Sequence, residues 1–407
     1  MKRQTILTFA AAALLAIFPA MDFNPPTANA QDVTITIKKG GDETTKPAFT
    51  GERAAVDVAI LLDTSNSMDG LISQAKSQLW KIVQQFADTE KAGKTPSLRV
   101  AVFEYGNSGL PASEGYVRQV VQLTDDLDKV SEALFALKTS GGDEYCGTVI
   151  NEALKRLDWS NESSSYKAIF IAGNEPFTQG SVDYKDACKK AIESGVVVNT
   201  IHCGDYSAGV KGGWEQGAKL AEGEFLNINQ DKKVVHIKCP QDEIIIKLNS
   251  DLNKTYLWYG TAHTRAACEM NQVAQDNNAL RVGGGAGFGG GRGVTKASSL
   301  YQNFGRDLVD TQAKDEAILS KLDSKLLPEK MQKMSAEERK AHLKKMADSR
   351  AEIKKKILEV AKEREAYLAK VRAEKANSGA EADTFGDVIS AAIVKQLKKS
   401  GFESTKR

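Results

Sequence analysis

The chain has 407 residues, of which 55 are basic and 53 acidic, and its formal charge is +2. That balance gives no electrostatic reason to expect nucleic acid as a partner, and the length suits one sizeable α/β domain with accessory segments. The five cysteines are an odd number, so at least one stays free or pairs between chains.

Taken in order, the chain opens with Lys2 and Arg3, an apolar run over residues 6–20 and then Ala28-Asn29-Ala30. Basic, apolar and small-x-small segments in that order predict a secretory signal peptide, residues 1–30. The competing reading, an uncleaved anchor, needs a longer apolar run than this one. An exported protein, periplasmic or extracellular, is therefore expected, with no transmembrane span in the mature chain. Residues 31–52 read as a polar leader with one short β-like run at 33–37. From 53 to 231, strands alternate with helices: strands are predicted at 55–62, 98–105, 117–123, 168–172, 196–202 and 224–227. Helices are predicted at 71–87, 127–137, 148–157, 182–194 and 214–221. This alternation predicts a doubly wound, mostly parallel α/β sheet covered on both faces.

Residues 232–310 form an accessory segment. Its glycine-rich stretch, 283–293, lacks the Gly-Lys-Ser/Thr ending of a phosphate loop and reads as a flexible loop. Export permits disulfides, and Cys239 with Cys268 is a candidate pair, although spacing does not fix connectivity. His202-Cys203 and His236-x-x-Cys239 match no standard zinc spacing. Residues 311–407 form a charged helical tail. Ser335-x-x-Glu338 forms a capping box, and Leu343, Met346, Ile353, Ile357, Val360, Tyr367 and Val371 follow heptad spacing, with Arg350 and Arg364 in the remaining seam positions. That stripe suits a coiled coil, by self-association or by packing inside the chain, for instance on residues 317–327. A last amphipathic helix carries Phe385, Val388, Ile389, Ala392, Ile393 and Leu397. Docking on the protein is its simplest use, with a membrane-surface role the other, given Lys395, Lys398 and Lys399.

Asp63-Thr64-Ser65-Asn66-Ser67 follows the first strand and opens the first helix. The spacing sets one carboxylate and two hydroxyls on a single strand-to-helix turn, a half-shell suited to a hard cation. A second use of the same residues is plain capping of the helix, since Asp and Ser are favoured N-caps. The stretch Val56-Asp57-Val58-Ala59-Ile60-Leu61-Leu62-Asp63-Thr64-Ser65-Asn66-Ser67-Met68 resembles the first strand and metal loop of von Willebrand factor type A (VWA) domains. The chain's layout as a whole resembles bacterial secreted proteins that carry this domain. The resemblance implies a Rossmann-like sheet with a metal-ion-dependent adhesion site (MIDAS), holding Mg²⁺ or Mn²⁺ whose shell a partner's carboxylate completes.

Carried over by residue, the resemblance assigns Asp63, Ser65 and Ser67 as metal ligands. The family's second loop supplies a Thr; here the stretch Ser140-Gly141-Gly142-Asp143-Glu144 makes Asp143 the candidate, with Glu144 next to it. The family's third loop supplies an Asp, and Gly173 stands at that place. The implied function is an exported protein-binding module that grips an acidic group of a partner protein. The alternative is a structural or assembly protein whose helical tail mediates association while the domain is a metal-free scaffold. An enzyme is not expected: no nucleophile–base pair is evident, and a hydrolytic version would need Glu175 as base.

Overall fold

The computed structural model describes residues 53–162, 164–229, 237–282, 286–376 and 385–405. The signal peptide and the polar leader with its β-like run lie outside the described residues, as does His236.

Eight strands and fourteen α-helices are described. The strands are β1 (Ala55–Asp63), β2 (Thr89–Glu90), β3 (Ser97–Tyr105), β4 (Val117–Thr124), β5 (Tyr166–Gly173), β6 (Val197–Cys203), β7 (Phe225–Ile228) and β8 (Glu403–Ser404). The first six helices are α1 (Asp69–Ala87), α2 (Leu127–Ala136), α3 (Cys146–Arg156), α4 (Tyr184–Glu193), α5 (Tyr206–Lys211) and α6 (Trp214–Leu220). Then come α7 (Pro240–Asn253), α8 (Ala262–Arg281), α9 (Ala286–Ala297), α10 (Leu308–Gln312), α11 (Ile318–Lys321), α12 (Glu329–Gln332), α13 (Ala336–Ala376) and α14 (Phe385–Lys399).

The main sheet runs β4-β3-β1-β5-β6-β7, with β4 antiparallel to β3 and every other pairing parallel. All nine residues of β1 are buried, because helices cover both faces of a parallel sheet. Its side chains alternate between two cores. Val56, Val58, Ile60 and Leu62 join Leu71, Leu79 and Phe86 of α1, whereas Ala59 and Leu61 join Val149 of α3, Cys188 of α4 and Trp214 of α6. From β1 the chain winds outward in both directions, so the carboxyl end of β1, where Asp63 sits, borders the crevice in which such sheets bind ligands.

The last helix belongs to this sheet. Val388, Ile389, Ala392, Ile393 and Leu397 of α14 are buried in the same core as α1, and Gln396 exchanges hydrogen bonds with Asn199 of β6 while accepting from Tyr166 Oη at 2.5 Å. Lys395 pairs with Glu224 at 2.7 Å. Its apolar face is thus spent on the protein.

The glycine-rich stretch overturns the expectation of a flexible loop: from Ala286 onward it is helical. Helix α9 packs against α7, α8, α13 and α1. Glycine is a poor helix former, and the compensation here is close approach. A Cβ on Gly293 would lie 2.6 Å from Ile245 Cγ2, and one on Gly289 2.5 Å from Leu280 Cδ2. Arg292 and Lys296 of α9 are buried, and each is paired: Arg292 with Asp128 at 2.8 Å and Asp276 at 2.5 Å, Lys296 with Asp276 at 3.2 Å.

The heptad stripe of α13 is used inside the chain from Leu343 to Val360, while Tyr367 further along is exposed. Leu343 packs with Leu308, Ile318 and Leu327, and Ile357 enters the core shared with α1. The seam arginines are buried ion pairs: Arg350 reaches Asp307 at 2.6 Å and Asp310 at 3.0 Å, and Arg364 reaches Asp242 at 2.7 Å. Ser335 and Glu338 cap the helix reciprocally, at 2.7 Å from the Ser335 N–H and 3.3 Å from the Glu338 N–H. All five cysteines, Cys239 and Cys268 included, are free thiols.

Candidate metal centre

Strand β1 delivers Asp63 to the top of the sheet, and the turn that follows brings the two serines back over it. The Ser65 N–H donates to Asp63 Oδ1 at 2.8 Å, and Ser65 Oγ lies 3.1 Å from Ser67 Oγ. Asp63 and Ser65 are buried and Ser67 is exposed, so the constellation opens outward at Ser67. Ser67 meets the third loop through the Asn174 amide, at 3.1 and 3.3 Å.

Of the two second-loop carboxylates, the structure turns Glu144 inward and Asp143 outward. Asp143 is exposed and accepts from Tyr145 Oη at 3.2 Å, so it is not beside Asp63. Glu144 is 7% exposed, with its N–H donating to Gln179 Oε1 at 3.3 Å. Gly106, with φ +77°, leaves the space where the Glu144 side chain and the Asp63 carboxylate come close: a Cβ there would lie 2.8 Å from Glu144 Cγ and 2.9 Å from Asp63 Oδ1.

Gly173, at the third-loop position, is hemmed in. A Cβ there would lie 2.5 Å from Tyr105 Oη and 3.1 Å from Asp63 Oδ2. Tyr105 is fully buried at the end of β3 and donates to the Ala172 carbonyl at 3.0 Å. Sequence reading passed over Tyr105, Gly106 and Asn174. A glycine directly after a strand was the one available signal for Gly106.

Electrostatically the site lacks a counter-charge. Burial pushes the Asp63 carboxyl up to about 6, against the opposing effect of the Ser65 hydrogen bonds. Burial, then the neighbouring charges of Asp63 and Glu175, push Glu144 up to about 7. Asp63 Oδ2 is buried and no hydrogen bond of ordinary geometry reaches it, although the Asn174 N–H faces the carboxylate. A buried acceptor left in this state costs free energy, and a cation relieves it. The residues present therefore fit a hard divalent ion: carboxylate and hydroxyl oxygens, no thiolate or imidazole among them. Among the described residues no three His, Cys, Asp or Glu side chains gather at one point, so serine hydroxyls are needed to complete any shell.

His202, at the end of β6, supports the third loop from behind. Its Nδ1 lies 3.1 Å from the Asn227 amide nitrogen, which can only donate, so Nε2 carries the proton and donates to the Asn174 carbonyl at 3.2 Å. Burial lowers its pKa, consistent with this neutral form. Glu175 is exposed on the same loop, with its carbonyl accepting from Trp214 Nε1 at 2.8 Å.

Residues 57–216 match the sequence profile of the von Willebrand factor type A domain. No curated protein matches the chain. Similar solved structures include the SpRpn10 VWA domain, at 18% identity over 44% of this chain and 89% of that one, TM-score 0.34. They also include the conserved hypothetical protein BatB from Bacteroides thetaiotaomicron, at 17% identity over 43% and 91%, TM-score 0.33. A third is proximal thread matrix protein 1 from the mussel byssus with a zinc-occupied MIDAS motif, at 17% identity over 44% and 43%, TM-score 0.33. The profile match agrees with the parallel sheet and with the position of Asp63 at its carboxyl edge. Residues 57–216 of this chain thus match a von Willebrand factor type A domain, and they are followed by a helical C-terminal region.

Proposed function

We propose that this is an exported protein-binding module whose VWA domain holds Mg²⁺ or Mn²⁺ at Asp63, Ser65 and Ser67 and uses it to grip an acidic group of a partner protein. The observation that carries the reading is the buried, unpartnered Oδ2 of Asp63 beside two hydroxyls at the outward-facing edge of the site. When bound, the ion supplies a Lewis-acidic position that a carboxylate can fill. The chain's own residues do the rest. Asp63 anchors the ion's charge, Ser65 and Ser67 set the open side, and Asn174, held by His202, braces Ser67.

Binding rather than catalysis suits the site. Glu175, the base that a hydrolytic role would need, is an exposed rim residue that accepts a 3.5 Å contact from Gln179. An assembly role for the tail draws less support, since the α13 stripe from Leu343 to Val360 and the buried α14 residues are taken up inside the chain, leaving Tyr367 exposed. Among the described residues no helix is long and apolar enough to cross a membrane.

The test is calorimetric titration of Mg²⁺ and Mn²⁺ into the purified protein and into Asp63→Ala, followed by an aspartate-containing peptide added to the loaded forms. The proposal expects ion binding in the wild type only, and peptide binding that EDTA abolishes. Ion binding that survives Asp63→Ala would refute it, as would no binding in either protein.

A further inference from the structure

Position 173 of the third loop cannot contribute a carboxylate to the site, and Glu175 on that loop is exposed at the rim. Any side chain at position 173 would run into the Tyr105 hydroxyl, which is fixed by its bond to the Ala172 carbonyl, and into Asp63 itself. The second loop has the opposite character. Glu144 is buried, its backbone is tied to Gln179, and its Cγ and Asp63 Oδ1 both lie against Gly106. The Ser65 hydroxyl, which lies 3.1 Å from Ser67 Oγ, also acts to lower the Glu144 carboxyl, so Glu144 lies within reach of the proposed ion shell. The charge of Asp63 pushes the Glu144 carboxyl up, and two buried carboxylates within each other's field are costly without a cation.

We propose that Glu144 is the second carboxylate ligand of the cation site, in the role that position 173 is sterically barred from filling. This rests on the cation reading given above and adds a residue to it. The charge of the ion is then balanced within the chain, by Asp63 from β1 and Glu144 from the loop before α3. A partner's acidic group is not needed to retain the ion, and the partner meets a site that is already loaded.

The experiment is Mn²⁺ titration by calorimetry into wild type, Glu144→Gln, Asp143→Asn and the double variant Glu144→Gln/Gly173→Asp, with melting curves for each. Gln keeps the shape of Glu, so a folded protein is retained. Glu144→Gln should weaken Mn²⁺ at least about tenfold, the scale of losing a supporting group at a metal site. Asp143→Asn should leave Mn²⁺ affinity as in wild type, since Asp143 is exposed and bonded to Tyr145 Oη. The double variant should not recover affinity and should melt lower than Glu144→Gln, because of the Tyr105 contact. Unchanged affinity in Glu144→Gln, or a comparable loss in Asp143→Asn, would overturn the assignment. Recovery in the double variant would overturn the steric argument. Failure of the underlying reading looks different: wild type itself binds no ion, or Asp63→Ala binds as wild type does.

Discussion

Two glycines of α9 that flank Arg292 should respond to the same mutation with opposite signs. Gly291→Ala places a Cβ with Trp80 Cβ as its nearest neighbour, at 3.9 Å, an ordinary contact. It should gain the helix-propensity difference, about 0.8–1 kcal/mol. Gly293→Ala gains the same, but its Cβ would lie 2.6 Å from Ile245 Cγ2, and Ile245 is fully buried and stiff at χ1. Overpacking of this kind costs about 1–3 kcal/mol, so the net change should be a loss of about 1 kcal/mol. The two variants should therefore differ by about 2 kcal/mol. Urea unfolding followed by tryptophan fluorescence reads the difference as a shift in midpoint at constant slope. A shift in melting temperature would be small for a unit of this size, which makes the urea midpoint the better readout. If both alanines raise stability alike, the segment is a flexible loop acting through its unfolded-state entropy, and the helix packing described here is wrong.

Two further outcomes follow from burial and charge. In metal-free protein the folded state holds protons on Asp63 and Glu144 that the unfolded state releases, since both carboxyls are pushed up, to about 6 and about 7. Their contribution to stability should therefore be full below the ordinary carboxyl values of 3.8 and 4.5 and be lost progressively as pH rises from there to about 7, the reverse of a salt-bridged carboxylate. Unfolding of the EDTA-treated protein across pH 5 to 8, beside the Asp63→Asn and Glu144→Gln double variant, checks this; an unchanged slope in the double variant refutes it. Ile393→Ala removes a fully buried side chain of α14 from the sheet core and should cost about 2–5 kcal/mol, measured by urea unfolding. A cost under about 1 kcal/mol would mean that α14 is only loosely docked on the sheet.

Several elements were legible in the sequence because their signals are local. The alternation of β1 with α1, and the Asp63-x-Ser65-x-Ser67 turn between them, sit within one short stretch of chain. The strand expectations fall within about two residues of the observed ends. What was not legible depended on partners distant in sequence. Asp143 and Glu144 are neighbours whose side chains part ways, and only Gln179 and the gap above Gly106 decide which one turns inward. Gly173 reads as a missing ligand until Tyr105, on β3 across β1 from it, is seen to fill the space. The glycine-rich stretch reads as loop by propensity, but tertiary packing on α7 and the buried Arg292 and Lys296 pairs override it. Arg350 and Arg364 were visible as charged gaps in a stripe. Their acceptors, Asp307 and Asp242, were not.

The central claim is that a divalent ion sits among Asp63, Ser65, Ser67 and Glu144. Anomalous diffraction from crystals grown with Mn²⁺ tests it most directly, because the metal's position is read without assuming its ligands. The account predicts one strong peak at the carboxyl end of β1, at about 2.0–2.4 Å from an Asp63 carboxylate oxygen, the range of hard-cation bonds. A peak elsewhere, or none there at saturating Mn²⁺, would contradict it.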